Sequence, residues 1–266
     1  MKHALGCHPC PPDAKGNAEL HEILGMSLDE LTVPPATLDL GRLVFNMRNQ
    51  GPFGLCVGFG VTQAAANCAR QQPGMENMAD LSPLGTYVQA CAIDGALHQV
   101  QDGTTVDAAL RGCGVGGFLF EAEYPYRPDE RDANDVPARQ RGFPLHIGQT
   151  GLRRCGMRTH RIQISDLDAF TFTVKQLLAN GKGVVGGWQV DQAFELWTPD
   201  QGPWDGLVGP SEGGHCVCVQ DYPTGDPRIT NSWSENAGDH GFWTFTWRAL
   251  HKATSLWAVD FVPLAS

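Results

Sequence analysis

The sequence predicts an α+β fold, with helices gathered in its first half and strands in its second. Three observations carry that expectation. Between residues 56 and 111 the apolar residues recur at helical spacing, as with Val57, Val61, Ala65 and Ala69. From Val184 onward the apolar runs are short, rich in β-branched and aromatic residues, and bounded by glycine or proline. The two regions are separated by a charged, turn-rich crossing over about residues 127–160.

Each element follows from local chemistry. Ala18 to Leu31 is a short amphipathic stretch that Pro34 and Pro35 end. Gln50 to Leu55 holds Gly51, Pro52 and Gly54 and reads as a tight loop, after which Cys56 opens a proline-free helix. Phe59, Ala64 and Cys68 occupy the other faces of that helix, which predicts burial nearly all round. Ser82 can cap a helix opened by Pro83, and Gly95 can end it. Asp102-Gly-Thr-Thr105 precedes a helix over Val106 to Arg111. Asp166 to Asn180 gives a further helix closed by Gly181. The predicted strands are Val184 to Val190, Cys216 to Tyr222, Arg228 to Asn231 and Phe242 to Trp247.

Composition narrows the function. The chain has 266 residues and a net charge of −10, which argues against a nucleic-acid partner, because that needs a basic face. No apolar run approaches the ~18 residues of a membrane span. The N-terminus lacks the apolar centre of a signal peptide. Nine cysteines, an odd number, suit a reducing cytoplasm better than a disulfide framework.

Three segments carry chemistry: Gln50-Gly-Pro-Phe-Gly-Leu-Cys56, Gly213-Gly-His215-Cys and Asn231-Ser-Trp233. A thiol near its ordinary pKa of about 8.5 is mostly protonated at neutral pH and needs a base to become a nucleophile. His215 is the candidate base, and Asn231, on a neighbouring strand, the group that orients its ring. Gln50 is a candidate oxyanion donor, and Trp233 a shield against water. Together these residues resemble the papain-like cysteine peptidases. Leu81-Ser-Pro-Leu, Glu123-Tyr-Pro-Tyr126 and Gly238-Asp-His-Gly-Phe-Trp243 extend the resemblance over roughly residues 36–262. The separation of Cys56 from His215 is slightly longer than the usual ~130–150 residues.

The resemblance implies a two-lobed fold, with a helical N-terminal lobe (about 37–130), an antiparallel β-barrel-like C-terminal lobe (about 160–262) and an interlobe cleft that takes a peptide or protein substrate. It implies catalytic roles for Cys56, His215, Asn231 and Gln50, substrate contacts at Gly103 and Trp233, and no metal or organic cofactor. The chain departs from the family pattern at Phe53, Leu55, Val57, Cys216 and Ser234. A thioester-using transferase and a catalytically silent binding protein remain alternatives. His3, Cys7, His8 and Cys10 are metal-ligand types, but a single Cys-x-x-Cys without a second pair is a weak zinc signal. Residues 1–36 form an N-terminal extension, expected to leave the cleft free because no inhibitor is needed; the alternative is that it covers part of the cleft.

Overall fold

In a computed structural model the described residues are 5–16, 18–27, 30–95, 103–127 and 155–263. The first half supplies three helices, α2 (Cys56–Arg70), α3 (Pro83–Ile93) and α4 (Val106–Gly116). Every residue of α2 is buried. Its small residues explain how: Gly58 lies against the backbone of Pro83, and Gly60 against the Cys216 side chain. Hydroxyl caps set two of the starts. Ser82 Oγ accepts from the Gly85 N–H at 2.9 Å, and Thr105 Oγ1 from the Ala108 N–H at 3.0 Å.

The second half is a six-stranded antiparallel sheet in the order β3-β8-β4-β5-β6-β7. Its strands are β3 (Cys155–Arg161), β4 (Gly183–Val190), β5 (Gly213–Asp221), β6 (Arg228–Thr230), β7 (Phe242–Thr244) and β8 (Ser255–Pro263). Among the described residues this sheet is open, which corrects the barrel-like expectation: of the six strands, β3 pairs only with β8, and β7 only with β6. Helix α5 (Leu167–Ala179), capped by Asp166, packs on β4 and on α6 (Trp247–His251).

Two apolar cores flank the sheet, and a smaller third gathers Leu55, Phe59, Leu84, Tyr87 and Tyr126. One joins α2, α3 and α4 to residues of β4, β5 and β8, among them Val185, Cys218 and Val259. The other fills the far side of the sheet with Trp188, Phe194, Trp243 and Phe245. Helix α2 therefore lies against the middle of the sheet and brings its first residue to the edge of β5.

The Ala18–Leu31 stretch yields only one short helix, α1 (Leu20–Leu24), and its Ile23 and Leu24 join the second core. Of the expected crossing, residues 128–154 lie outside the described residues, whereas Cys155–Arg161 is a strand.

Candidate active site

Cys56 is the first residue of α2, placed there by the loop that the sequence marks with Gly51 (φ 58°). The helix start contributes a partial positive charge that favours a thiolate. Burial works against it. Cys56 is fully buried, and its pKa is pushed up to about 12, first by loss of water and then by the neighbouring Cys7 thiol. The backbone at Cys216, Gly6 and Val57 pulls the other way.

His215 lies on β5, and Asn231 directly follows β6. Nε2 of His215 is 2.8 Å from Asn231 Oδ1. The same Oδ1 accepts from the Ser232 N–H at 2.7 Å, which fixes it as the oxygen of the carboxamide. Nε2 therefore carries the proton, and Nδ1 is the basic nitrogen of this tautomer. The Trp233 ring lies 4.6 Å from the His215 ring at 30°, and Phe194 borders the same ring at 5.8 Å. Trp233 is buried, so its neighbours are His215, Phe194 and Trp243.

Gln50 ties the helical half to the sheet half. Its N–H donates to Ser232 O at 2.7 Å, and its Oε1 accepts from Ser232 Oγ at 2.5 Å. Its Nε2 donates to Phe53 O at 2.8 Å, and Tyr126 OH donates to its carbonyl. The carboxamide is thus pinned at both ends, with its N–H₂ turned toward the loop that ends in Cys56. Ser232 and Tyr126 belong to this site but have no role in the sequence reading. Ser232 was legible only as the middle of Asn-Ser-Trp, and Tyr126 reads as packing.

Gly103 lies at the groove's edge with φ 100°, and Tyr87 OH accepts from its N–H at 3.2 Å. The next residue, Thr104, offers its N–H to the groove, where Gly6 O accepts it at 2.9 Å.

That contact reveals what fills the groove. Strand β1 (Cys7–His8) pairs in parallel with β2 (Thr104–Thr105), in the register Cys7–Thr104 and His8–Thr105. On its other side the segment presses against the Gln50–Leu55 loop and β5. A methyl group on Gly6 would fall 2.2 Å from Gly54 O, and one on Gly214 would fall 1.9 Å from Cys7 O. Only glycine fits at either position. The chain then runs on along β3: Arg161 N–H donates to Lys15 O at 3.0 Å, and Ala18 N–H to Thr159 O at 3.1 Å. The structure therefore corrects the expectation that the extension leaves the cleft free. Residues 5–10 lie between the thiol-bearing loop and the histidine-bearing strand. Cys7 and Cys10 are buried and His8 is exposed, so the three do not converge, and no metal-holding group of three occurs among the described residues. His3 lies outside them.

Comparison of the whole architecture is decisive. The structure is similar to xylellain, a cysteine protease from Xylella fastidiosa, at 20% identity over 97% of this chain and 96% of that one, with a TM-score of 0.65. The fold is papain-like. It is also similar to procathepsin B S9 from Trypanosoma congolense (12% identity, 98% and 87% covered, TM-score 0.71). The bromelain protease from Ananas comosus in complex with the E64 inhibitor is a third neighbour (16% identity, 87% and 100% covered, TM-score 0.58). No family model and no curated protein matches the sequence. Within the papain-like fold, Cys56, His215 and Asn231 all border the ground between the helical half and the sheet.

Proposed function

We propose that this chain is a cysteine peptidase and that its own N-terminal segment holds it latent in the conformation described. The observation that carries the reading is the 2.8 Å bond from His215 Nε2 to Asn231 Oδ1. It leaves Nδ1 as the base on the strand that borders Cys56. Once the groove is open, Nδ1 takes the Cys56 proton and the thiolate attacks the scissile carbonyl. The Gln50 Nε2 and the Cys56 N–H receive the oxyanion; one such donor is worth about 3 kcal/mol of barrier. His215 then protonates the leaving amine, and water activated by the same nitrogen releases the acid. The substrate is a peptide in extended form, pairing with the edge at Gly103 and Thr104 that β1 now occupies. The eight described cysteines with visible side chains are all free thiols, which supports a reducing, cytoplasmic setting. No helix among the described residues is long and apolar enough to cross a membrane.

The complete burial of Cys56 favours a second reading, a permanently closed and silent protein. Iodoacetamide labelling read by mass spectrometry separates the two. The expected result is slow labelling of Cys56 in the full chain, and fast labelling with peptide turnover after residues 1–16 are removed. His215→Ala should suppress both gains. Slow labelling and no turnover after removal would establish the silent protein instead.

A further inference from the structure

The segment in the groove carries a second thiol chemistry. Gly187 on β4 is the direct partner of Cys216 on β5. Directly opposed residues of an antiparallel pair project from the same face, with Cβ positions about 4.5–5.5 Å apart. A Cβ on Gly187 would fall 2.6 Å from Cys7 Sγ. The Cys7 sulfur therefore occupies the space that Gly187 leaves vacant, beside Cys216 and on the same face. After burial itself, the Cys7 thiol is the next cause that raises the Cys216 pKa, so the two thiols are near neighbours. Both are buried, at 5% and 1% exposure, so neither is open to solvent while the segment stays docked. The Cys7 thiol also neighbours Cys56. Its seat over Gly187, the direct partner of Cys216, favours Cys216 as the partner of Cys7.

We infer that Cys7 and Cys216 are a modification site: a reversible disulfide between them locks the N-terminal segment into the groove. The inference rests on the reading of this groove as a peptidase site. The oxidant is a peroxide. When the segment lifts, the exposed Cys7 thiol takes one oxygen from hydrogen peroxide, giving a sulfenic acid and one water. On redocking, Cys216 sulfur attacks the Cys7 sulfur, the S–O bond breaks, and the hydroxyl leaves as a second water with the Cys216 proton. Two thiols have lost two electrons and two protons, and the peroxide has become two waters. A dithiol reductant reverses the link. Because docking is then intramolecular, escape of the segment falls about 10²-fold or more.

The test uses the full chain carrying Cys56→Ala, which removes both the competing thiol and any self-cleavage. After mild hydrogen peroxide treatment, unreacted thiols are blocked, the protein is digested without reduction and the peptides are weighed. The expected product is a Cys7–Cys216 cross-linked pair that dithiothreitol removes. In parallel, cleavage of residues 5–16 by an added protease should slow at least about tenfold on oxidation. A second protein carrying Cys7→Ser as well as Cys56→Ala should lose both effects while keeping the same thermal midpoint. Absence of the linked pair, linkage of Cys7 to another cysteine, or unchanged protease sensitivity overturns the inference. None of these readouts depends on peptide turnover, so failure of the peptidase reading is separately visible.

Discussion

Gln50 makes four contacts with three different parts of the chain, and every polar atom it carries is used. Such a side chain is held in place before any substrate arrives. Replacing it by alanine in the segment-free enzyme should lower kcat about 10²–10³-fold with little change in KM, because the lost bond forms only to the developing oxyanion. Ser232→Ala should cost less, since it removes only the Oγ bond that steadies the Gln50 oxygen. Steady-state kinetics on a fluorogenic peptide measures both. At this scale the sequence was partly readable. Gln50, Cys56, His215 and Asn231 stand in short motifs whose local geometry travels with them. Ser232 and Tyr126 reach Gln50 across 182 and 76 residues, and no local pattern announces such pairings.

Among the elements, the junction of β5 and β6 is secured by charge as well as by packing. Asp221, fully buried at the end of β5, accepts from Arg228 Nε at 2.8 Å and from its terminal nitrogen at 2.5 Å. It also accepts from the Leu40 N–H at 2.6 Å, while Arg228 reaches Asp39 at 2.7 Å. The pair sits where the β5–β6 register shifts, just before the strand that delivers Asn231. Asp221→Ala leaves a half-buried guanidinium and a buried N–H without their acceptor. It should destabilise the fold by about 3–5 kcal/mol in urea unfolding. Four of the strands and the four long helices α2 to α5 were legible, because their apolar spacing and end residues are local signals. Strands β3 and β8 were not. Strand β3 is an edge with basic residues at Arg158, His160 and Arg161. Strand β8 carries Asp260, whose charge breaks the apolar run and is answered by Lys182 at 2.8 Å and Arg158 at 3.5 Å.

On the scale of the whole molecule, the N-terminal segment is both a part of the core and an obstruction. Ile23 and Leu24 anchor it among the sheet residues, each worth about 1.5–3 kcal/mol of burial. Residues 5–10 depend on close backbone approach instead. Gly6→Ala should therefore loosen the groove end without unfolding the protein, because its methyl group would collide with Gly54 backbone atoms at 2.2–2.6 Å. Turnover and Cys56 labelling should rise together in that variant, with the thermal midpoint nearly unchanged. The pH dependence has a definite sign. Burial raises the Cys56 pKa to about 12, with Cys7 of the docked segment adding to it and Gly6 opposing it. Lifting the segment returns water to the thiol, so the docked form is expected to hold that proton more tightly than the open form. Docking is therefore fully favoured below the open-form value and is lost as pH rises toward about 12. In the full chain, labelling should climb about tenfold per pH unit through the neutral and mildly alkaline range. In Gly6→Ala it should level off at lower pH. The segment's path was not legible because it depends on glycines at 6 and 214, which meet Gly54 and Cys7 only in the folded chain.

The Gly6 carbonyl oxygen is taken up by the Thr104 N–H at 2.9 Å. On the proposed mechanism the oxyanion forms at Gln50 and the Cys56 N–H instead, so this carbonyl is held as part of a strand pair and not as a scissile group. A stopper seated in that way outlasts the chemistry it prevents, and its release falls to physical displacement or to a cut made by a different molecule.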